Sequence, residues 1–88
     1  MSIDRKMVEI WRKERDEAAY SFDVKTFKDF YAKWAKRGIY DMYLLPPDDV
    51  LEISIRKMVV NFSDPIPEKY EEAKAWLLER GYDLNIGS

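Results

Sequence analysis

The 88-residue chain contains no cysteine and no histidine. Without cysteine there is no disulfide framework and no thiolate nucleophile. Without histidine the commonest metal ligand and the usual general base are gone. Together the two absences exclude most zinc sites and every Ser/His or Cys/His nucleophile arrangement. Glycine is scarce, at Gly38, Gly81 and Gly87 alone, which leaves no dinucleotide fingerprint and no phosphate-binding Gly-Lys-Ser/Thr loop. No apolar run approaches the roughly 20 residues of a membrane span. Charge of one sign is lacking as well: a net charge of −2 gives no global pull toward nucleic acid or anionic lipid. The stretch Met1-Ser2-Ile3-Asp4-Arg5-Lys6 is charged from the start and has no signal-like apolar core. We therefore expect a cytoplasmic protein without membrane association. Asn61-Phe62-Ser63 matches a glycosylation pattern but carries no weight without secretion, and Gly87-Ser88 is left out of fold reasoning.

Carboxylates are the main chemical resource that remains. Asp48-Asp49 is an adjacent pair that could bind a divalent cation weakly, but adjacent helical residues do not face each other, and no spaced calcium-loop pattern exists. Helix-start chemistry explains the pair better. We expect no catalytic site, no metal and no cofactor, hence a non-enzyme.

What the chain does have is an unbroken central run, Val50 to Phe62, with no Gly, Pro or turn dipeptide. At 100° per residue Leu51, Ile55, Met58 and Phe62 share one stripe flanked by Val59. Alternation over Leu51, Ile53 and Ile55 also suits a strand. Thirteen residues exceed the usual strand of about 5–6, and Pro46-Pro47-Asp48-Asp49 is good helix-start chemistry, so the run is read as a helix. Ile53 and Val60 form a second stripe on nearly the opposite side, which suits a helix sandwiched between neighbours or shared with a second copy.

Three more helices are expected around it. The first runs from about Ile3 to Ala19, with Ser2 as candidate N-cap, Asp4 near the positive dipole end, and Ile3, Met7, Ile10, Trp11 and Ala18 as its apolar face. The second starts at Asp23 or Ser21 and carries an aromatic face of Val24, Phe27, Phe30, Tyr31, Trp34 and Ala35. Gly38 fits its left-handed C′ stop, with Ile39 turned back toward Trp34. The fourth opens with Pro67 at its first position, presents Ile66, Tyr70, Ala73 and Leu77 with Trp76 at the edge, and stops at Gly81, where Tyr82 folds back. The two stops read alike, Trp34-Ala35-Lys36-Arg37-Gly38 beside Trp76-Leu77-Leu78-Glu79-Arg80-Gly81. Duplicated hairpins and shared capping chemistry both account for the likeness.

Two surfaces are candidates for function. The segment Ile39-Tyr40-Asp41-Met42-Tyr43-Leu44-Leu45 is apolar where a connector is normally polar; it serves either as a strap across the bundle or as a partner-binding patch. Thirteen aromatic residues, three Trp, six Tyr and four Phe, are more than so small a core can take fully. Trp11, Phe27, Phe30, Trp34, Leu51, Ile55, Met58, Phe62, Tyr70 and Leu77 are assigned to the core, and Tyr40, Met42 and Tyr43 to the exposed surface, joined by Ile53 and Val60. Tyr and Met are favoured at interfaces. The second surface is the basic face of the second helix, Lys25, Lys28, Lys33 and Lys36 with Arg37, which would grip phosphates; helical periodicity turns the rings away from it.

The sequence thus predicts an all-α protein: a compact four-helix domain spanning residues 1–88, with short turns and one long apolar connector, 39–46. The expected role is binding a protein partner or a second copy through Tyr40, Met42, Tyr43, Ile53 and Val60. The alternatives are nucleic-acid binding through the lysine face, and an acidic inhibitor whose negative segment, Gly38 to Ile55, fits a basic groove.

Overall fold

The computed structural model describes residues 4–85. The chain is all-α, as the sequence predicts. Its elements are α1 (Arg5–Tyr20), α2 (Val24–Ala35), a single 3-10 turn (Met42–Leu44), α3 (Asp48–Val60) and α4 (Pro67–Glu79). They fall into two compact units that divide between Leu45 and Pro46. The Pro-Pro pair follows that boundary directly, where Leu45 is extended at φ −70, ψ 121, as a residue before proline must be.

In the first unit α1 packs on α2. Asp4 caps α1 by accepting the Met7 N–H at 2.7 Å, so the capping role falls to Asp4; Ser2 and Ile3 lie outside the described residues. Ile10, expected on the buried face of α1, is exposed, whereas Ala18 and Ala19 are buried. Phe22 closes α1 with φ 54, a left-handed conformation unusual for a residue bearing a side chain. The Ser21 hydroxyl bridges this corner, donating to the Ala18 carbonyl at 2.6 Å and accepting the Asp23 N–H at 3.1 Å. Asp23 then caps α2, accepting the Thr26 N–H at 3.0 Å and its hydroxyl at 2.6 Å. That pair of bonds holds the Asp23 carboxyl below its ordinary value. Phe27, Phe30 and Trp34 of α2 are buried.

The expected stop at Gly38 is present. Gly38 has φ 85, Ile39 N–H donates to the Trp34 carbonyl at 3.1 Å, and Gly38 N–H to that of Ala35 at 3.0 Å. These are the paired bonds of a Schellman cap, with Trp34 at C3.

In the second unit α3 packs on α4. The run 50–56 is helical, and Asp48 and Asp49 sit in its first turn. Its buried stripe is Leu51, Ile55 and Val59, an i, i+4, i+8 row, facing a core that also holds Ala73 and Leu77. Met58, Phe62, Tyr70 and Trp11, assigned to the core by sequence, are half-buried. Proline opens α4 as expected, and Ile66 is exposed ahead of it. Gly81, at φ 78, ends α4 by the same motif: Tyr82 N–H donates to Leu77 at 3.0 Å and Gly81 N–H to Leu78 at 3.1 Å. Asp83 and Leu84, after α4, are bonded to α3. Asp83 accepts from Lys57 Nζ at 3.1 Å, and Asn61 Nδ2 donates to the Leu84 carbonyl at 2.7 Å.

The two stops are built by the same pair of bonds. The residue of α4 that occupies the place of Trp34 is Leu77: both are fully buried and both receive the N–H of the residue after glycine. Trp76 sits one position earlier. The same capping chemistry is present at both stops.

Candidate interaction site

The connector divides into a pinned base and a displayed tip. Its base is built on Tyr40, which sequence reasoning assigns to the exposed surface and which is half-buried instead. The Trp11 indole N–H donates to the Tyr40 phenol oxygen at 3.0 Å. The Tyr40 ring stacks on Tyr31 at 4.1 Å and 12°, and meets Phe30 edge-on at 5.8 Å. Burial raises the Tyr40 phenol above its ordinary value, while the Trp11 bond and the charge of Arg15 act in the opposite sense. Tyr40 is thus the centre of an aromatic cluster joining α1, α2 and the connector.

Asp41 fixes the tip. Its carbonyl accepts from the Tyr31 hydroxyl and from the Leu44 N–H, both at 2.9 Å. Its carboxylate accepts the Tyr43 N–H at 2.9 Å, the Asx arrangement that short acidic side chains favour at turns. Leu45 N–H closes the turn onto the Met42 carbonyl at 3.2 Å. With its backbone bonded in this way, the turn displays its side chains to solvent: Met42 is 48% exposed, Leu44 75% and Tyr43 96%. Sequence reasoning found Met42 and Tyr43 but not Leu44; the signal available was Asp41 two residues before Tyr43, which marks the turn.

Ile53 and Val60 are half-buried on α3, in the second unit, whereas Tyr40, Met42 and Tyr43 belong to the first. Within the first unit an open apolar cleft of about 290 Å³ is lined by Val8, Trp11, Gly38 and Ile39. A Cβ built at Gly38 would meet nothing within 4 Å. Along α1 a polar groove of about 480 Å³, lined by Asp4, Arg5, Val8, Glu9 and Arg12, shares Val8 with the cleft.

The lysine face is less free than its sequence suggests. Lys33 Nζ lies 2.7 Å from Glu14 Oε1, and the same oxygen accepts the Trp34 indole N–H at 3.3 Å. The Lys33 bond holds the Glu14 carboxyl below its ordinary value against the effect of burial. Arg37 lies over the Trp34 ring at 4.8 Å. Lys25 and Lys36 are exposed, and Lys28 is half-buried. Among the described residues there is no group of three or more carboxylates placed to hold a metal ion, and no helix is long and apolar enough to cross a membrane.

Compared with known proteins, the chain matches no protein-family model, no curated protein and no solved structure.

Proposed function

We propose that the chain is a non-catalytic protein-interaction module whose contact element is the turn Met42-Tyr43-Leu44. The observation that carries this reading is the 96% exposure of Tyr43 on a turn whose backbone is held by Asp41. Three consecutive large apolar side chains in water gain nothing for the isolated chain. Displayed by a fixed backbone, they supply what a protein partner can bury without a large ordering cost. Tyrosine is the residue type best suited to such an anchor.

Nucleic-acid binding through Lys25, Lys28, Lys33, Lys36 and Arg37 has less support, because Glu14 already neutralises Lys33. The two readings separate in one experiment: capture from native lysate on immobilised wild type and on the Tyr43→Ala, Leu44→Ser variant, with and without nuclease. A protein retained by wild type after nuclease, and lost from the variant, supports the module. Equal recovery on both, or recovery that vanishes with nuclease, overturns it.

A further inference from the structure

We propose that Tyr31 is the positioning residue of the contact turn: its hydroxyl, acting through the Asp41 carbonyl, sets the direction in which Met42, Tyr43 and Leu44 are displayed, while the Asp41 carboxylate sets the shape of the turn. The inference rests on the interaction-module reading for its use and adds what aims the contact element.

The hydrogen bonds of the turn are of two kinds. Three close within it: Tyr43 N–H to the Asp41 carboxylate, Leu44 N–H to the Asp41 carbonyl and Leu45 N–H to the Met42 carbonyl. They fold residues 41–45 on themselves and would survive if the segment swung as a body. The fourth comes from α2, where the Tyr31 hydroxyl donates to the Asp41 carbonyl at 2.9 Å. Among the described residues it is the one hydrogen bond that reaches 41–45 from outside.

The acceptor is the joint between the two kinds. A carbonyl oxygen has two lone pairs, and Asp41 directs one to α2 and the other to Leu44. Because the peptide unit is planar, holding that oxygen holds the Asp41–Met42 plane from which the turn starts. Asp41 and Leu45, on either side of the turn, are both extended, at φ −110, ψ 118 and φ −70, ψ 121. Rotation at these two residues would swing the turn with its internal bonds intact. Pro46 restricts it at the Leu45 end, and the Tyr31 bond restricts it at the other.

The donor is itself held. The Tyr31 ring stacks on Tyr40 at 4.1 Å and 12°, and the Tyr40 phenol accepts the Trp11 N–H at 3.0 Å. Direction is thus passed from α1 and α2 to the turn through two phenols. The turn is ordered during folding, and a partner that buries Tyr43 does not have to order it.

The test is 15N relaxation and amide exchange of the full chain, on wild type, Tyr31→Phe and Asp41→Ala, with thermal melts to establish that each is folded. Tyr31→Phe keeps the ring on Tyr40 and deletes the hydroxyl alone. In wild type the order parameters of Met42, Tyr43 and Leu44 should lie near those of rigid backbone, about 0.85. Tyr31→Phe should lower them to about 0.6 or below, while changing amide exchange at Tyr43 and Leu44 by less than about twofold. Asp41→Ala should do the reverse, with Tyr43 exchange at least about fivefold faster, as the loss of one net hydrogen bond implies, and order parameters closer to wild type. A wild-type turn already below about 0.6 overturns the proposal. So does a Tyr31→Phe turn as rigid as wild type, or one whose exchange rises as far as in Asp41→Ala. No partner enters these measurements, so the two readings fail separately. A rigid, Tyr31-dependent turn without Tyr43-dependent capture removes the module and leaves the positioning; capture by a turn indifferent to Tyr31 removes the positioning alone.

Discussion

The Trp11 indole N–H and the Tyr40 phenol oxygen meet at 3.0 Å across 29 positions of sequence. This bond ties the exit of the α2 cap to the middle of α1, and it turns an apolar connector into a fixed base. Replacing Tyr40 by Phe keeps the ring on Tyr31 but leaves the Trp11 N–H without this acceptor, which should cost about 1 kcal/mol. Tyr40→Ala removes the stacking as well and should cost about 2–3 kcal/mol, below a fully buried aromatic because the ring is half-exposed. Urea unfolding followed by circular dichroism measures both. Equal losses for Phe and Ala would mean that the stacking on Tyr31 contributes nothing.

The same phenol gives an alkaline signature. Burial raises its folded-state value above the ordinary 10.0, so the folded chain holds this proton more tightly than the unfolded one. The stability it contributes is complete below about pH 10 and is lost as pH rises through the folded value. In wild type minus Tyr40→Phe, the difference in unfolding free energy should therefore shrink above pH 10. A difference that is constant to pH 11 would remove Tyr40 as its source.

How much of this was legible follows from the range of each interaction. Asp23, Gly38, Pro67 and Gly81 punctuate the helices through bonds that span a few residues, and each could be read from its neighbours. At the start of α1 the sequence suggested Ser2 as the cap and gave Asp4 only a place near the positive dipole end; Asp4 holds the cap, and Ser2 lies outside the described residues. Phe22 gave no sign of its left-handed backbone, since nothing in its residue type favours it. Tyr40 and Tyr43 belong to the same apolar segment, and helical or strand periodicity is silent in a connector. Which ring is pinned and which displayed is decided by Trp11 and Tyr31, far away in sequence. The basic face of α2 was legible as a pattern, but its loss of Lys33 to Glu14 on α1 was not.

Glu14 carries an acid signature of the opposite sign. Its carboxyl is held below the ordinary 4.5, first by the Lys33 bond, so its stabilisation is present above about pH 4.5 and is lost as pH falls through the lower folded value. Both partners are substantially solvated, at 30% and 48% side-chain exposure. The pair should contribute only a few tenths of a kcal/mol. Glu14→Gln retains an acceptor for Trp34 while removing the charge. The melting temperature of the variant should approach that of wild type at pH 3 and fall slightly below it at pH 7. A gap that does not change with pH would show that charge plays no part.

Gly38 and Gly81 separate backbone strain from crowding. At φ 85 and 78 a Cβ is disfavoured by the local backbone, yet at neither position would it touch another atom within 4 Å. Each alanine substitution should cost about 1–2 kcal/mol through conformation alone. D-alanine, for which this region is the favoured one, should stabilise by about 0.4–1 kcal/mol by restricting the unfolded chain. Chemical denaturation of synthetic variants checks the sign. Destabilisation by D-alanine as well would show that the opposite side of the α-carbon, where its Cβ points, is crowded.

Trp76 is held by two guanidinium groups, Arg56 and Arg80, each 4.1 Å from the ring centroid, with Tyr82 stacked at 6.3 Å and 14°. The distances are equal but the solvation is not: the Arg56 side chain is 11% exposed and that of Arg80 46%. Burial also holds the Arg56 guanidinium below its ordinary value, the charge of Arg80 adding to this and Glu52 opposing it. A desolvated cation over an indole is worth about 2 kcal/mol and an exposed one about 0.5–1. Arg56 also packs its methylene stem against its surroundings. Arg56→Ala should therefore destabilise by about 2 kcal/mol and Arg80→Ala by less than about 1. Repeating both in Trp76→Leu completes the double-mutant cycles, and the coupling to Trp76 should be larger for Arg56. Equal couplings would show that ring contact alone, independent of solvent access, sets the strength of these pairs.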